Sequence, residues 1–95
     1  MKNTNLTSTI LWADGTQQAT KPKNGKYFTL KELQNIVGGY IEMVYLPDNM
    51  IMVVNEDGRR EELKLNVRAT EIMRSAGKEV DIVGNVLLCN SKLIK

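Results

Sequence analysis

The chain contains no histidine among its 95 residues. That removes the side chain that titrates near neutrality and the commonest metal ligand. It also removes the usual base for an activated serine or cysteine nucleophile. Cysteine occurs once, at Cys89, so no intrachain disulfide can form, which suits a reducing cytosol. Cys89 closes an apolar run and reads as a small buried hydrophobe. No apolar stretch approaches the ~20 residues of a membrane-crossing helix, and the first fifteen residues hold no continuous apolar signal core. Neither G-x-G-x-x-G nor G-x-x-x-x-G-K-[ST] occurs. Charge of either sign is not in excess: 13 basic residues face 11 acidic ones, for a net +2. A dedicated nucleic-acid binder carries a basic stripe that is missing here. The expectation is a cytoplasmic protein with no membrane association, no dedicated nucleic-acid binding, no cofactor and no metal site.

What is present describes one folded domain over 1–95. The hydrophobic fraction is 42% and the charged fraction 25%, ordinary for a globular fold. A chain of this size buries only about 60–65% of its unfolded surface, so its stability is modest and oligomerisation is a common remedy.

Leu6 to Trp12, rich in Thr and Ile, predicts a strand. Asp14-Gly15 then predicts a type I′ turn, and Thr16 to Thr20 a polar return strand, giving an N-terminal hairpin over about 6–20. Lys21 to Lys26 reads as a loop, either simply solvated or a basic rim. Thr29 and Glu32 form a T-x-x-E capping box. Leu30, Leu33, Ile36 and Val37 make one helical stripe, and Gly38 stops it. Tyr40 to Leu46 alternates as a strand, with proline at the second position of the Pro47-Asp48-Asn49 turn. Met50 to Val54 is almost wholly apolar and reads as a central strand covered on both faces. After an Asn55-Glu56-Asp57-Gly58 turn, Arg59 to Leu65 suggests a charged edge strand. Asn66 is a good N-cap for a helix over Val67 to Ala76. Val80 to Cys89 is a last strand interrupted at Gly84, and Asn90 to Lys95 is expected to fray. The order β-β-α-β-β-β-α-β predicts an α+β fold: a mixed or antiparallel sheet of five to six strands, both helices on one face.

The candidate binding residues are polar or aromatic groups among positions that otherwise read as core. Glu42 sits mid-strand between apolar neighbours, and a buried glutamate needs a partner: Arg59, Arg60, Arg68 or a ligand. Asn55 and Asn66 bracket the charged segment; their plain roles are turn and N-cap, their alternative role is to read base or ribose edges. Aromatics number five. Trp12 is a sheet-packing residue or a stacking platform for a purine, a contact worth roughly 1–3 kcal/mol, and Tyr40 is a second stacking candidate. Arg68 lies in the first turn of the second helix, where free N–H groups favour anions.

From about Thr29 to Cys89 the chain resembles a family known as a domain of unknown function, common in bacteriophages, prophages and other mobile elements. The resemblance rests on LKELQNIVGGYIE (Leu30–Glu42), MVVNEDG (Met52–Gly58), LKLNVRAT (Leu63–Thr70) and IVGN (Ile82–Asn85), and leaves the N-terminal hairpin outside. It implies a small α+β domain of mobile-element origin and supplies no activity. Small phage proteins that act as oligomeric sponges for immune nucleotides offer an analogy of context. On it, the leading expectation is a non-enzymatic protein that captures a small anionic nucleotide signal, of cyclic-nucleotide or ADP-ribose type. Arg59, Arg60 and Arg68 would meet phosphates, Trp12 or Tyr40 would stack, and Glu42, Asn55 and Asn66 would read polar edges. The alternatives are a module that binds and inhibits a host protein, and a metal-dependent nucleotide hydrolase using Glu42 and Glu56. Met43, Tyr45, Met50 and Met52 offer more apolar surface than two short helices cover, which predicts a homodimer or larger even assembly.

Overall fold

The computed structural model describes residues 6–94. Five strands form one antiparallel sheet: β1 (Ser8–Leu11), β2 (Gln17–Ala19), β3 (Ile41–Leu46), β4 (Met50–Asn55) and β5 (Val86–Asn90), in the spatial order β2-β1-β5-β4-β3. Helix α1 spans Leu30–Val37 and α2 spans Val67–Ser75. The fold is α+β, as the sequence predicts.

The helices lie on opposite faces of the sheet, not on one. Because strand residues alternate, the register sorts the side chains. Ile10, Leu87, Cys89, Ile51 and Val53 share a face with Leu33 and Val37 of α1. Leu11, Val86, Met52 and Val54 share the other with Ala69 and Met73 of α2. The reason is legible in β4 itself: a strand apolar at every position needs cover on both sides. Met52, expected to add exposed apolar surface, is fully buried under α2. Burial raises the Cys89 thiol to about 12, so it stays protonated and inert at neutral pH.

Local structure departs from expectation in five places. The last strand, expected from Val80, begins only at Val86, because Gly84 at φ +81° bends the segment before it and leaves only a bridge at Val83. The β1–β2 connection is the three-residue loop Ala13-Asp14-Gly15: Gly15 donates to Trp12 O (3.0 Å), Trp12 donates to Thr16 O (2.9 Å), and only Gly15, at φ +97°, is left-handed. A type I′ turn would need Asp14 left-handed too; instead Asp14 accepts from the Thr16 N–H (2.9 Å), an Asx turn that holds it on the other side of φ. The β3–β4 turn begins at Pro47, whose carbonyl accepts from Met50 N, with Asp48 (φ +63°) and Asn49 (φ +62°) as its central pair. The expected strand Arg59–Leu65 is a coiled turn, Glu61 N–H to Asp57 O (2.9 Å) and Leu63 N–H to Gly58 O (3.0 Å), with a single bridge from Leu65 to Val83. The hydrogen bonds from Asp57 to Leu63 close on themselves, so the segment pairs with a neighbour only at that bridge. Finally, residues 90–94 do not fray: Ser91–Leu93 is a 3₁₀ turn, Leu93 is buried, and Ile94 bridges Phe28. Lys95 lies outside the described residues.

The capping box forms as predicted. Thr29 Oγ1 accepts from Glu32 N (3.2 Å), and Glu32 Oε1 accepts from Thr29 N (2.8 Å). Glu32 Oε2 also accepts from Lys23 N (3.0 Å), which ties the lysine loop to the helix. These bonds, Thr29's first, hold the Glu32 carboxyl below its ordinary value. A depressed folded pKa stabilises above the unfolded value and fades as pH falls through the folded one. Glu32→Gln is therefore expected to lower urea stability at pH 7 and to lie closer to wild type at about pH 3.5. Thr29→Ala should cost about 1 kcal/mol at pH 7. Equal losses for Glu32→Gln at both pH values would show that the charge plays no part.

Candidate functional site

An open cleft of about 490 Å³ lies on the α2 side of the sheet, beside β3. Three segments far apart in sequence build it. Glu42 and Val44 project from β3, Glu56 to Arg60 form the turn that leaves β4, and Val80 to Val83 run in before β5. The turn is held from behind by Asn55, which is 6% exposed. Asn55 Nδ2 donates to Val37 O at the end of α1 (3.1 Å), and Asn55 Oδ1 accepts from Asp57 N (2.7 Å). Gly58 is buried against Val83, where an added Cβ would meet Val83 Cγ2 at 2.7 Å.

The cleft is lined by charge of both signs over an apolar floor of Val44, Ile82 and Val83. Arg60 pairs with Asp57 (2.5 Å), and Arg59 donates to the Asp81 carbonyl (3.1 Å). Both guanidinium groups belong to exposed residues. Four carboxylates, Glu42, Glu56, Asp57 and Asp81, surround these two arginines, so the formal charge of the lining is −2. Among the described residues, no group of three or more His, Cys, Asp or Glu side chains could hold a metal ion.

Of the residues singled out by sequence, Glu42, Asn55, Arg59 and Arg60 meet at this cleft. Glu42 is exposed and not buried, because β3 is an edge strand and its outer half has no neighbour to cover it. The other four lie apart. Tyr40 flanks a shallow dip with Gln34 and Glu61. Trp12 packs half-buried against the α1-side core. Arg68 is exposed on α2 and faces Glu71 at 3.7 Å. Asn66 is 1% exposed and wholly engaged: its Oδ1 caps Ala69 N (3.0 Å), and its Nδ2 donates to Leu11 O (2.9 Å) and Gly84 O (2.8 Å). Sequence reasoning misses Asp81, Ile82 and Val83 as lining of the cleft, because it reads Val80–Cys89 as a strand. Gly84 was the available signal, since a left-handed residue at φ +81° marks where that segment leaves extended geometry.

The family model for the domain of unknown function DUF3846 matches residues 9–92. The chain belongs to the DUF3846 family. The match takes in the N-terminal hairpin with Trp12, which the quoted motifs left out, so the five-stranded sheet falls within the DUF3846 region almost entire. No curated protein and no solved structure matches the chain. No helix among the described residues is long and apolar enough to cross a membrane.

Proposed function

We propose that this DUF3846 domain is a non-enzymatic binding protein that holds one small nucleotide in the cleft beside β3, and that it serves as a phage-encoded sink for a nucleotide immune signal in the host cytoplasm. One observation carries the binding reading: Glu42 from β3, and Asn55, Arg59 and Arg60 from the end of β4 and the turn after it, line one cleft of about 490 Å³, within the ~300–1,000 Å³ typical of ligand sites. The phage and immune-signal part rests on the resemblance of the quoted motifs and on analogy of context.

Charge narrows the ligand. Arg59 and Arg60 are the phosphate contacts; their present bonds to a backbone carbonyl and to Asp57 are exposed and exchangeable for bidentate phosphate bonds. The four carboxylates only accept hydrogen bonds, so they suit the amino and imino edge of a base. They also repel a polyanion. The ligand that fits carries few phosphates and a donor-rich base. Isothermal titration against cyclic mononucleotides, cyclic oligonucleotides and cyclic ADP-ribose isomers tests this. The expected result is heat from at least one of them, and affinity at least about tenfold weaker in an Arg59→Ala/Arg60→Ala double variant, a loss of about 1.4 kcal/mol. No heat from any member at high micromolar protein sinks the proposal. Binding unchanged in the double variant would move the site elsewhere.

A further inference from the structure

The sheet has two edges, and they differ. β2 is three residues long, Gln17–Ala19, and exposed throughout. β3 is six residues long and reads Ile-Glu-Met-Val-Tyr-Leu. Proteins blunt an open edge with charged side chains, proline, a bulge or shortness; β3 carries one charge, Glu42, on the α2 side, and none of the other devices.

The ladder shows which of its backbone groups are open. Glu56 N–H donates to Tyr40 O (2.9 Å), so Tyr40 and Glu56 form a hydrogen-bonded pair. In an antiparallel ladder such pairs alternate, so Glu42, Val44 and Leu46 turn their backbone groups toward β4. Ile41, Met43 and Tyr45 turn theirs outward, and among the described residues β3 pairs with β4 alone. The side chains of these same three residues stand on the α1 side. Ile41 and Met43 line an apolar groove of about 290 Å³ with Leu30 and Leu33. Tyr45 beside it is 68% exposed, as is Tyr40, and Leu30 is 58% exposed.

We propose that β3 pairs antiparallel with β3 of a second copy of this chain, about a two-fold axis at Met43, joining two five-stranded sheets into one of ten. The register is set by self-complementarity. With Met43 opposite the partner's Met43, all three outward residues find partners, and Tyr45 lies opposite the partner's Ile41. That is an aromatic–β-branched pair, which is favourable across strands, and it sets each tyrosine over the mouth of the other copy's groove. Glu42 faces the partner's Val44. Sliding the axis by one residue to Glu42 would oppose two like charges; sliding it to Val44 would carry Ile41 against Pro47, which has no N–H to offer. Covering Tyr40, Tyr45, Leu30 and the edge removes roughly 500 Å² per copy, taking about 150–250 Å² for an aromatic side chain. The total is near the ~1,000 Å² that a specific interface needs, so the dimer is a weak, concentration-dependent one. Because the axis is perpendicular to the sheet, the two clefts lie on the same side and flank the seam.

The test has two arms. Light scattering on the full chain is expected to show a mass approaching twice 10.7 kDa at hundreds of micromolar, returning to the monomer on dilution. Tyr45→Lys, at an exposed position, should stay monomeric throughout. In the second arm, Met43→Cys should cross-link to itself under mild oxidation, since hydrogen-bonded pairs place Cα atoms ~5.5 Å apart, inside the disulfide range of ~4.4–6.8 Å. Tyr45→Cys should not, because its opposite is Ile41. Cys89 is fully buried and does not compete. A monomer at every concentration overturns the proposal. So does a dimer that Tyr45→Lys leaves intact, or one in which Met43→Cys fails to cross-link.

Discussion

Asn66→Ala is expected to leave the protein largely unfolded at room temperature. Three buried groups depend on that one side chain: the Ala69 N–H, the Leu11 carbonyl and the Gly84 carbonyl. Loss of an N-cap costs about 1 kcal/mol, and each buried carbonyl left without a donor costs about 1–3 kcal/mol. The sum is about 3–7 kcal/mol. A chain of this length has a stability of about 5–14 kcal/mol in all, and small domains sit low in that range. The same side chain joins three pieces of the fold: the start of α2, the end of β1 and the bend before β5. Asn66→Asp separates capping from bridging. It keeps the acceptor for Ala69 but turns an oxygen toward two carbonyls. The new carboxyl is then favoured in its protonated form, its folded pKa lying above the unfolded one. That variant is most stable below the unfolded carboxyl value and loses stability as pH rises through the folded one. Urea denaturation across pH 4–7 measures both variants. A loss under about 1 kcal/mol for Asn66→Ala would mean that water replaces the amide at no cost.

Gly84→Ala is the second large effect, expected to cost about 2–5 kcal/mol. Gly84 has φ +81°, and a Cβ built there meets Leu63 Cδ1 at 2.8 Å. The left-handed conformation alone costs an L-residue about 1–2 kcal/mol. Overpacking adds about 1–3 kcal/mol. The two contributions can be told apart. Leu63→Ala in the same chain removes the clash and leaves the backbone strain, so the double variant should be less destabilised than the sum of the singles. Strict additivity would show that Leu63 moves aside freely. Gly84 N–H also donates to Lys64 O (2.7 Å), so a shift here reaches the floor of the cleft at Val83, and ligand binding should weaken along with stability.

The capping box of α1 was readable because every partner lies within four residues, Thr29 to Glu32. The N-cap of α2 was readable for the same reason, though only half of it. Asparagine before an apolar stripe announces the Ala69 bond. Nothing in the sequence announces that its amide also reaches Leu11, fifty-five residues away. The turn that displaced the expected strand at Arg59–Leu65 shows the opposite failure. Leu63 and Leu65 alternate as a strand should, but the Asx bond from Asn55 to Asp57 starts a coil whose hydrogen bonds close on themselves. Glu42 looked buried because its sequence neighbours are apolar. Its exposure depends on β3 being an edge, a property of strand order, and strand order depends on β5 returning between β1 and β4.

By itself, then, the sequence determined what is local or periodic: which segments are helical, where they start and stop, that β4 is covered on both faces, and that no histidine or disulfide chemistry is available. Only the tertiary structure decided which helix covers which face, which strand is left open, and that Glu42, Arg59, Arg60 and Asp81 share a cleft. Periodicity reports on residues a few positions apart, through one hydrogen bond or one turn. The cleft and the open edge depend on pairings between segments tens of residues apart, whose register no local signal carries.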